Sequence, residues 1–165
     1  MEFKSGEMTR ITGVKLARLQ QWWAAGYIDP PSISVAEGAG TRNVFSMYDL
    51  FRILFFKRCV ESGLPRETAK EFLKVDEKNK MSLNAGMKVD FENYIKSGDR
   101  TQRIKGVSSI YAVFYRKGTK IFKSELAAET DGTLKVSDEI LTADDFIGIN
   151  YKNILIELFE NILKQ

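Results

Sequence analysis

The sequence predicts an α+β protein: a helical N-terminal unit interrupted by one short hairpin, then a small antiparallel sheet closed by a C-terminal helix. Three observations predict it. Apolar residues recur at helical spacing through four segments before residue 75, β-branched and aromatic residues crowd into short runs after residue 105, and a wide apolar stripe returns at helical spacing between 150 and 164. With 165 residues the chain is long enough for two small units. The expected organisation is a unit over 1–76, a polar linker over 77–104 that holds a short helix, and a small α+β unit over 105–165.

The first helix is expected from Ser5 or Gly6 to Thr12, with Ser5 as its cap and Met8 and Ile11 on one face. Gly13 allows a tight turn, and Val14 anchors the entry to a second helix from about Lys15 to Ala25. In that helix Leu16, Leu19, Trp22 or Trp23 and Ala25 can face inward, which leaves Lys15, Arg18 and Gln21 outward. Cationic and amide side chains are the ones that contact guanine, adenine and phosphate. Taken alone, the same pattern also fits an ordinary amphipathic helix with a solvated polar face.

Gly26 ends this helix and Pro30-Pro31 prevents its resumption. Ser32 to Val35 and Thr41 to Phe45, joined by Glu37-Gly38-Ala39-Gly40, read as a small hairpin. Those glycines are not followed by the Gly-Lys-Ser/Thr of a phosphate-cradling loop, so nucleotide binding is set aside. Ser46 caps a third helix from about Met47 to Ser62, ended by Gly63, and Pro65 opens a fourth through about Lys74 with Ala69, Phe72 and Leu73 inward. Helix, helix, hairpin, helix, helix makes a winged helix-turn-helix unit.

Residues 75–88 are polar and form the expected boundary, with a short helix from about Asp90 to Lys96 after it. Ser109 to Tyr115 reads as a strand, Arg116-Lys117-Gly118 as a turn, and Thr119 to Lys123 as the returning strand. Asp131-Gly132 marks a second turn before Leu134 to Val136, and Phe146 to Ile149 completes the sheet. The closing helix, about Asn150 to Lys164, carries Tyr151, Leu155, Leu158 and Ile162 at spacings of four, three and four. That stripe can cover the sheet or pair with a second copy.

Composition excludes much. Zero histidines and one cysteine remove most metal sites, catalytic triads and thiol relays, so no cofactor, no metal and no catalytic residue is expected. Acidic groups such as Asp144-Asp145, or Glu129 with Asp131, read as solvated turn residues, and Cys59 as a small buried residue. No apolar run approaches a membrane span and the first residues lack a signal-peptide stretch, so a cytoplasmic, nucleoid-associated location without membrane contact is expected. The net charge of +3 comes entirely from residues 1–74, with 11 Lys/Arg against 8 Asp/Glu, while residues 75–165 carry 14 of each. A bias of this size permits DNA binding without requiring it, because phosphate contacts depend on local clustering.

Gly13-Val14 with Leu19, Trp22, Gly26 and Pro30, then Gly40-Thr41-Arg42 with Phe45-Ser46 and Asp49-Leu50, then Gly63-Leu64-Pro65 and Phe72-Leu73, resemble the MerR family of bacterial transcription regulators. The resemblance covers residues 5–74 and is nearest to members with a Gly-Thr-Arg wing and a tryptophan in the recognition helix. The chain departs from the pattern at Gln20, Gln21 and Trp22, where the family often has an arginine and then tyrosines. The resemblance implies a homodimer that binds a palindromic operator in double-stranded DNA. Lys15 and Arg18 would lie at or near base edges; Gln21, Thr41, Arg42 and Asn43 would lie on phosphates; and Trp22 would take the aromatic position of the recognition helix. It also favours dimerisation through Tyr151, Leu155, Leu158 and Ile162, action with RNA polymerase at a promoter, and an unknown small-molecule effector in an apolar pocket within 105–165. With Cys59 as the sole cysteine, the cysteine-based metal sensing of some members is not expected. The alternative is a protein-interaction module that uses the same fold without specific DNA binding.

Overall fold

The computed structural model describes residues 1–38, 42–76, 80–96, 110–116, 118, 123–130 and 133–165. In chain order the elements are β1 (Glu2–Lys4), α1 (Ser5–Thr12), α2 (Leu16–Ala24), β2 (Val44–Ser46), α3 (Met47–Glu61), α4 (Arg66–Asp76), α5 (Lys80–Lys96), β3 (Ile110–Arg116), β4 (Lys123–Thr130), β5 (Thr133–Lys135), α6 (Asp138–Leu141), β6 (Asp145–Asn150) and α7 (Tyr151–Leu163). Helices and two small antiparallel sheets thus share one chain, as the α+β expectation required.

Ser5 is not the cap of α1. It is the first helical residue; Lys4 stands before it in extended conformation, and its backbone N–H donates to Glu7 Oε2 at 2.7 Å. Glu7 therefore satisfies a backbone donor of the first turn from within that turn. At the other end Gly13 takes φ +67°, which lets its N–H reach the Thr9 carbonyl at 2.9 Å and turns the chain into α2. Lys57 Nζ donates to the Thr12 carbonyl at 3.1 Å beside this turn, where a Cβ on Gly13 would stand only 3.2 Å from that nitrogen.

The hairpin expected between Ser32 and Phe45 shrinks to a single bridge, Ser34 to Val44, among the described residues. The longer partner of the returning strand comes instead from the N-terminus: β1 pairs antiparallel with β2, with Phe3 opposite Phe45. Ser46 does cap α3, since its Oγ accepts from Asp49 N, while Asp49 Oδ2 accepts from Ser46 N at 2.7 Å. The same carboxylate accepts from Ser32 N and Ser32 Oγ, and so ties the start of the 32–46 segment to the start of α3.

Helix α3 is the axis of the molecule. Eleven of its residues are buried, including Arg52, so it has no single apolar face of the kind its sequence suggested. A helix buried all round must be surrounded, and α1, α4, α5 and α7 all lie against it. The segment expected as linker is helical over Lys80–Lys96, far longer than the short helix expected from about Asp90 to Lys96, and Met87, Phe91 and Tyr94 join the core. The apolar core accordingly runs without a break from Phe3 to Ile162.

The larger sheet has the order β5-β4-β3-β6, antiparallel throughout, with Ala112 opposite both Leu126 and Ile149. Its Ala112, Phe114 and Ile149 face join the main core, whereas Val113, Tyr115 and Ala127 form a second cluster with Ile140 of α6, a short helix that the sequence did not announce. Of the strand expected over Thr119 to Lys123, residues 119–122 lie outside the described set, and β4 is described over Lys123–Thr130. The turns expected at Lys117 and at Asp131-Gly132 also involve residues outside the described set.

The stripe on α7 is spent inside the chain, which corrects its expected role as a dimer interface. Leu158 is fully buried, Leu155 and Ile162 are nearly so, and Tyr151 stacks on Phe51 at 5.5 Å and Phe55 at 5.2 Å between ring centroids. Polar ties fix the same docking, with Asn161 Nδ2 donating to the Ile11 carbonyl at 2.8 Å and Arg58 Nη2 to Glu157 Oε2 at 2.7 Å. That carboxylate's hydrogen bond holds the Arg58 pKa above its ordinary value. Cys59 is buried, and desolvation pushes its thiol pKa up.

Candidate nucleic-acid interface

Helix α2 has two sides of different chemistry. Leu19 and Trp22 are buried against the core, and Lys15, Arg18 and Gln21, three residues apart, form an exposed row along the outside. Residues three apart in an α-helix share a face, so the three side chains can meet one continuous partner. Within Leu16–Ala24 there is no acidic residue, and the N-terminal end of the row is the one that carries both cations. Lys15 occupies the N-cap in extended conformation without a side-chain cap, so the positive end of the helix dipole adds to the two charges.

An open cleft of about 930 Å³ lies beside this row, between β1 with the first turn of α1, the Leu16 and Gln20 side of α2, and the loop at Ala36, Arg42 and Asn43. Lys4, Arg10 and Arg42 line it together with Glu2 and Glu7. Glu7 is already engaged by the Lys4 backbone N–H, and Arg10 Nε donates to Gln165 Oε1 at 2.7 Å. Lys4 and Arg10 escaped the sequence reading. Lys4 enters the cleft through the pairing of β1 with β2, which joins residues forty or more positions apart, and Arg10 enters it from α1. The available signal was the alternation of Glu2, Phe3 and Lys4, whose middle residue alone is buried.

The expected contact residues divide. Lys15, Arg18, Gln21 and Arg42 stand exposed, the first three in one row and Arg42 in the lining of the cleft. Trp22 does not: it is 6% exposed, and its ring meets Phe56 edge-on with centroids 4.9 Å apart, as a core residue. Asn43 is likewise buried, and its Oδ1 accepts from Ala36 N at 2.9 Å, so it clasps the loop rather than reaching out from it. Thr41 lies outside the described residues, as do Ala39 and Gly40. Trp23 is half-buried and stacks on Phe45 with centroids 6.2 Å apart, which fastens α2 to β2.

What the arrangement can do chemically is bind an extended polyanion. Cationic and amide groups on a helix, flanked by a cleft that carries three more cations beside the carboxylates of Glu2 and Glu7, offer charge-assisted donors over a surface wider than a single ligand pocket. No helix of the described residues is long and apolar enough to cross a membrane. No family model matches the chain, and no curated protein sequence matches it.

Proposed function

We propose that this protein is a sequence-specific DNA-binding transcription regulator that reads a palindromic operator as a homodimer. The observation that carries the reading is the exposed Lys15, Arg18 and Gln21 row on a helix without acidic residues, set beside a cleft lined by Lys4, Arg10 and Arg42. In this reading α1 and α2 are a helix-turn-helix, α2 enters the major groove, and the 32–46 segment is a wing against the flanking backbone. Residues at the start of a recognition helix meet base edges, which assigns sequence choice to Lys15 and Arg18. Gln21, Arg42, Lys4 and Arg10 hold phosphates and set register. The resemblance of residues 5–74 to the MerR family supports the same assignment, along with action at a promoter and control by an effector.

The test is selection of bound sequences from random duplex DNA, followed by binding of single variants to the selected site. Arg18→Ala lowers discrimination between the selected site and its single-base variants by about 1–3 kcal/mol. Arg42→Ala weakens binding to all duplexes alike and reduces the slope of log affinity against log salt by about 1. Enrichment of no sequence, with Arg18→Ala indistinguishable from the parent protein, refutes the reading.

A further inference from the structure

The corner between α1 and α2 is held from outside the helix pair. The last carbonyls of an α-helix have no partner within it. In α1 the Thr9 carbonyl accepts from Gly13 N of the turn itself, but the Ile11 carbonyl accepts from Asn161 Nδ2 of α7 at 2.8 Å and the Thr12 carbonyl from Lys57 Nζ of α3 at 3.1 Å. Ile11 and Thr12 are each 1% exposed, so neither carbonyl has bulk water to take the place of its donor. The tie to α7 is double. The Asn161 carbonyl accepts from Gln165 Nε2 at 3.3 Å, and Gln165 Oε1 accepts from Arg10 Nε at 2.7 Å, which links the neighbouring residues Arg10 and Ile11 through one turn of α7.

The other end of α7 belongs to the larger sheet. Tyr151 follows β6 with no residue between, and Asn150 Oδ1 caps the helix by accepting from Asn153 N at 3.2 Å. Thirteen residues at about 1.5 Å each make α7 a strut of about 20 Å from the sheet to the corner. Lys15 and Arg18 lie two and five residues beyond Gly13, so a rotation of α2 at the corner carries both with it. On the DNA-binding reading given above, on which this rests, we propose that Asn161 is a positioning residue for α2. By holding the Ile11 carbonyl it fixes the angle of the Lys15, Arg18 and Gln21 row, and so governs which bases the row distinguishes rather than how many phosphates the surface holds. Base discrimination needs donors held in one orientation at the groove edge, whereas attraction to phosphates acts over several ångströms and tolerates a small displacement. Loss of the tie therefore separates the two.

The test compares Asn161→Asp, which keeps the shape of the side chain but has no donor for the Ile11 carbonyl, with Ile154→Val, a core truncation about two turns earlier on the same helix. In the DNA-free full chain, amide hydrogen exchange at Gly13 and Val14 is expected to be about tenfold faster in N161D than in I154V. With the selected duplex, discrimination between that site and its single-base variants is expected to fall by about fivefold or more in N161D, at an unchanged slope of log affinity against log salt, while I154V alters neither. Asn161→Ala removes the donor without adding a charge and should give the same changes in smaller measure, so the outcome does not hang on the folding of one variant. Exchange at the corner no faster in N161D and N161A than in I154V overturns the proposal, as does faster exchange with discrimination unchanged. A parent chain that enriches no sequence overturns the DNA-binding reading and the assignment of Asn161 with it, while the exchange rates, read without DNA, show separately whether α7 holds the corner.

Discussion

Leu158→Ala separates the two roles that the α7 stripe can have. Leu158 is fully buried on a helix that lies against α1, α3 and β3, in a core that includes Phe159 and Leu155 on its own helix. Truncation removes the transfer energy of the lost carbons and leaves a cavity lined by residues that the neighbouring helices hold in place. Buried leucine truncations of this kind cost about 2–5 kcal/mol. Because the ties at Asn161 to Ile11 and Arg58 to Glu157 restrain α7 from collapsing inward, the expected cost lies in the upper part of that range, about 3–5 kcal/mol. At about 2–4 °C per kcal/mol for a chain of this size, Tm falls by roughly 6–20 °C. The assay is thermal unfolding by circular dichroism at two protein concentrations a hundredfold apart. The core role predicts the same loss of Tm at both concentrations. A loss under 1 kcal/mol, or a deficit that disappears at the higher concentration, would show that Leu158 sits in a subunit interface, and the placement of α7 given above would be wrong.

Other outcomes follow from the same structure. Ser46→Ala removes the side-chain acceptor for Asp49 N and should lower unfolding free energy by about 0.5–2 kcal/mol in urea titrations. Asn43→Ala frees Ala36 N and loosens the loop that bears Arg42, so DNA affinity should fall without any change in the preferred sequence; a changed preference in a repeated selection would place Asn43 on a base instead. Cys59, buried and with its thiol pKa raised by desolvation, should react with a thiol reagent at neutral pH only as fast as the protein unfolds; rapid stoichiometric labelling of the native protein would contradict its burial.

Periodicity located α1, α2, α3, α4, β3, β6 and α7 to within a residue or two because each buries a face whose spacing is written locally. What escaped was set by distant partners. β1 is three residues long and exists only because Val44–Ser46 lies beside it. The first half of α5 mixes polar and apolar residues and contains Gly86; Met87, Phe91 and Tyr94 then bury against α3 and α7, with Phe91 and Tyr94 set around Phe159. The stripe on α7 was legible as apolar, but nothing local to it distinguishes a partner within the chain from one outside. The site divides in the same way. The outward row of Lys15, Arg18 and Gln21 follows from helical spacing alone, whereas the burial of Trp22 depends on Phe56 and that of Asn43 on the return of the chain to Ala36. Lys4 reaches the cleft on β1 and Arg10 on α1, and their proximity to Arg42 has no counterpart in the linear sequence.

Binding of duplex DNA by the face of α2 and its adjoining cleft, as proposed, is read by fluorescence anisotropy against a labelled selected duplex across a salt series. Saturable binding is expected at low salt, falling linearly in a log–log plot with a slope of at least about 3 for Lys4, Arg10 and Arg42 together. The slope should fall by about 1 for each of these replaced with alanine. Failure to bind any duplex at low salt, or binding whose salt slope is unchanged when all three are replaced, would contradict it.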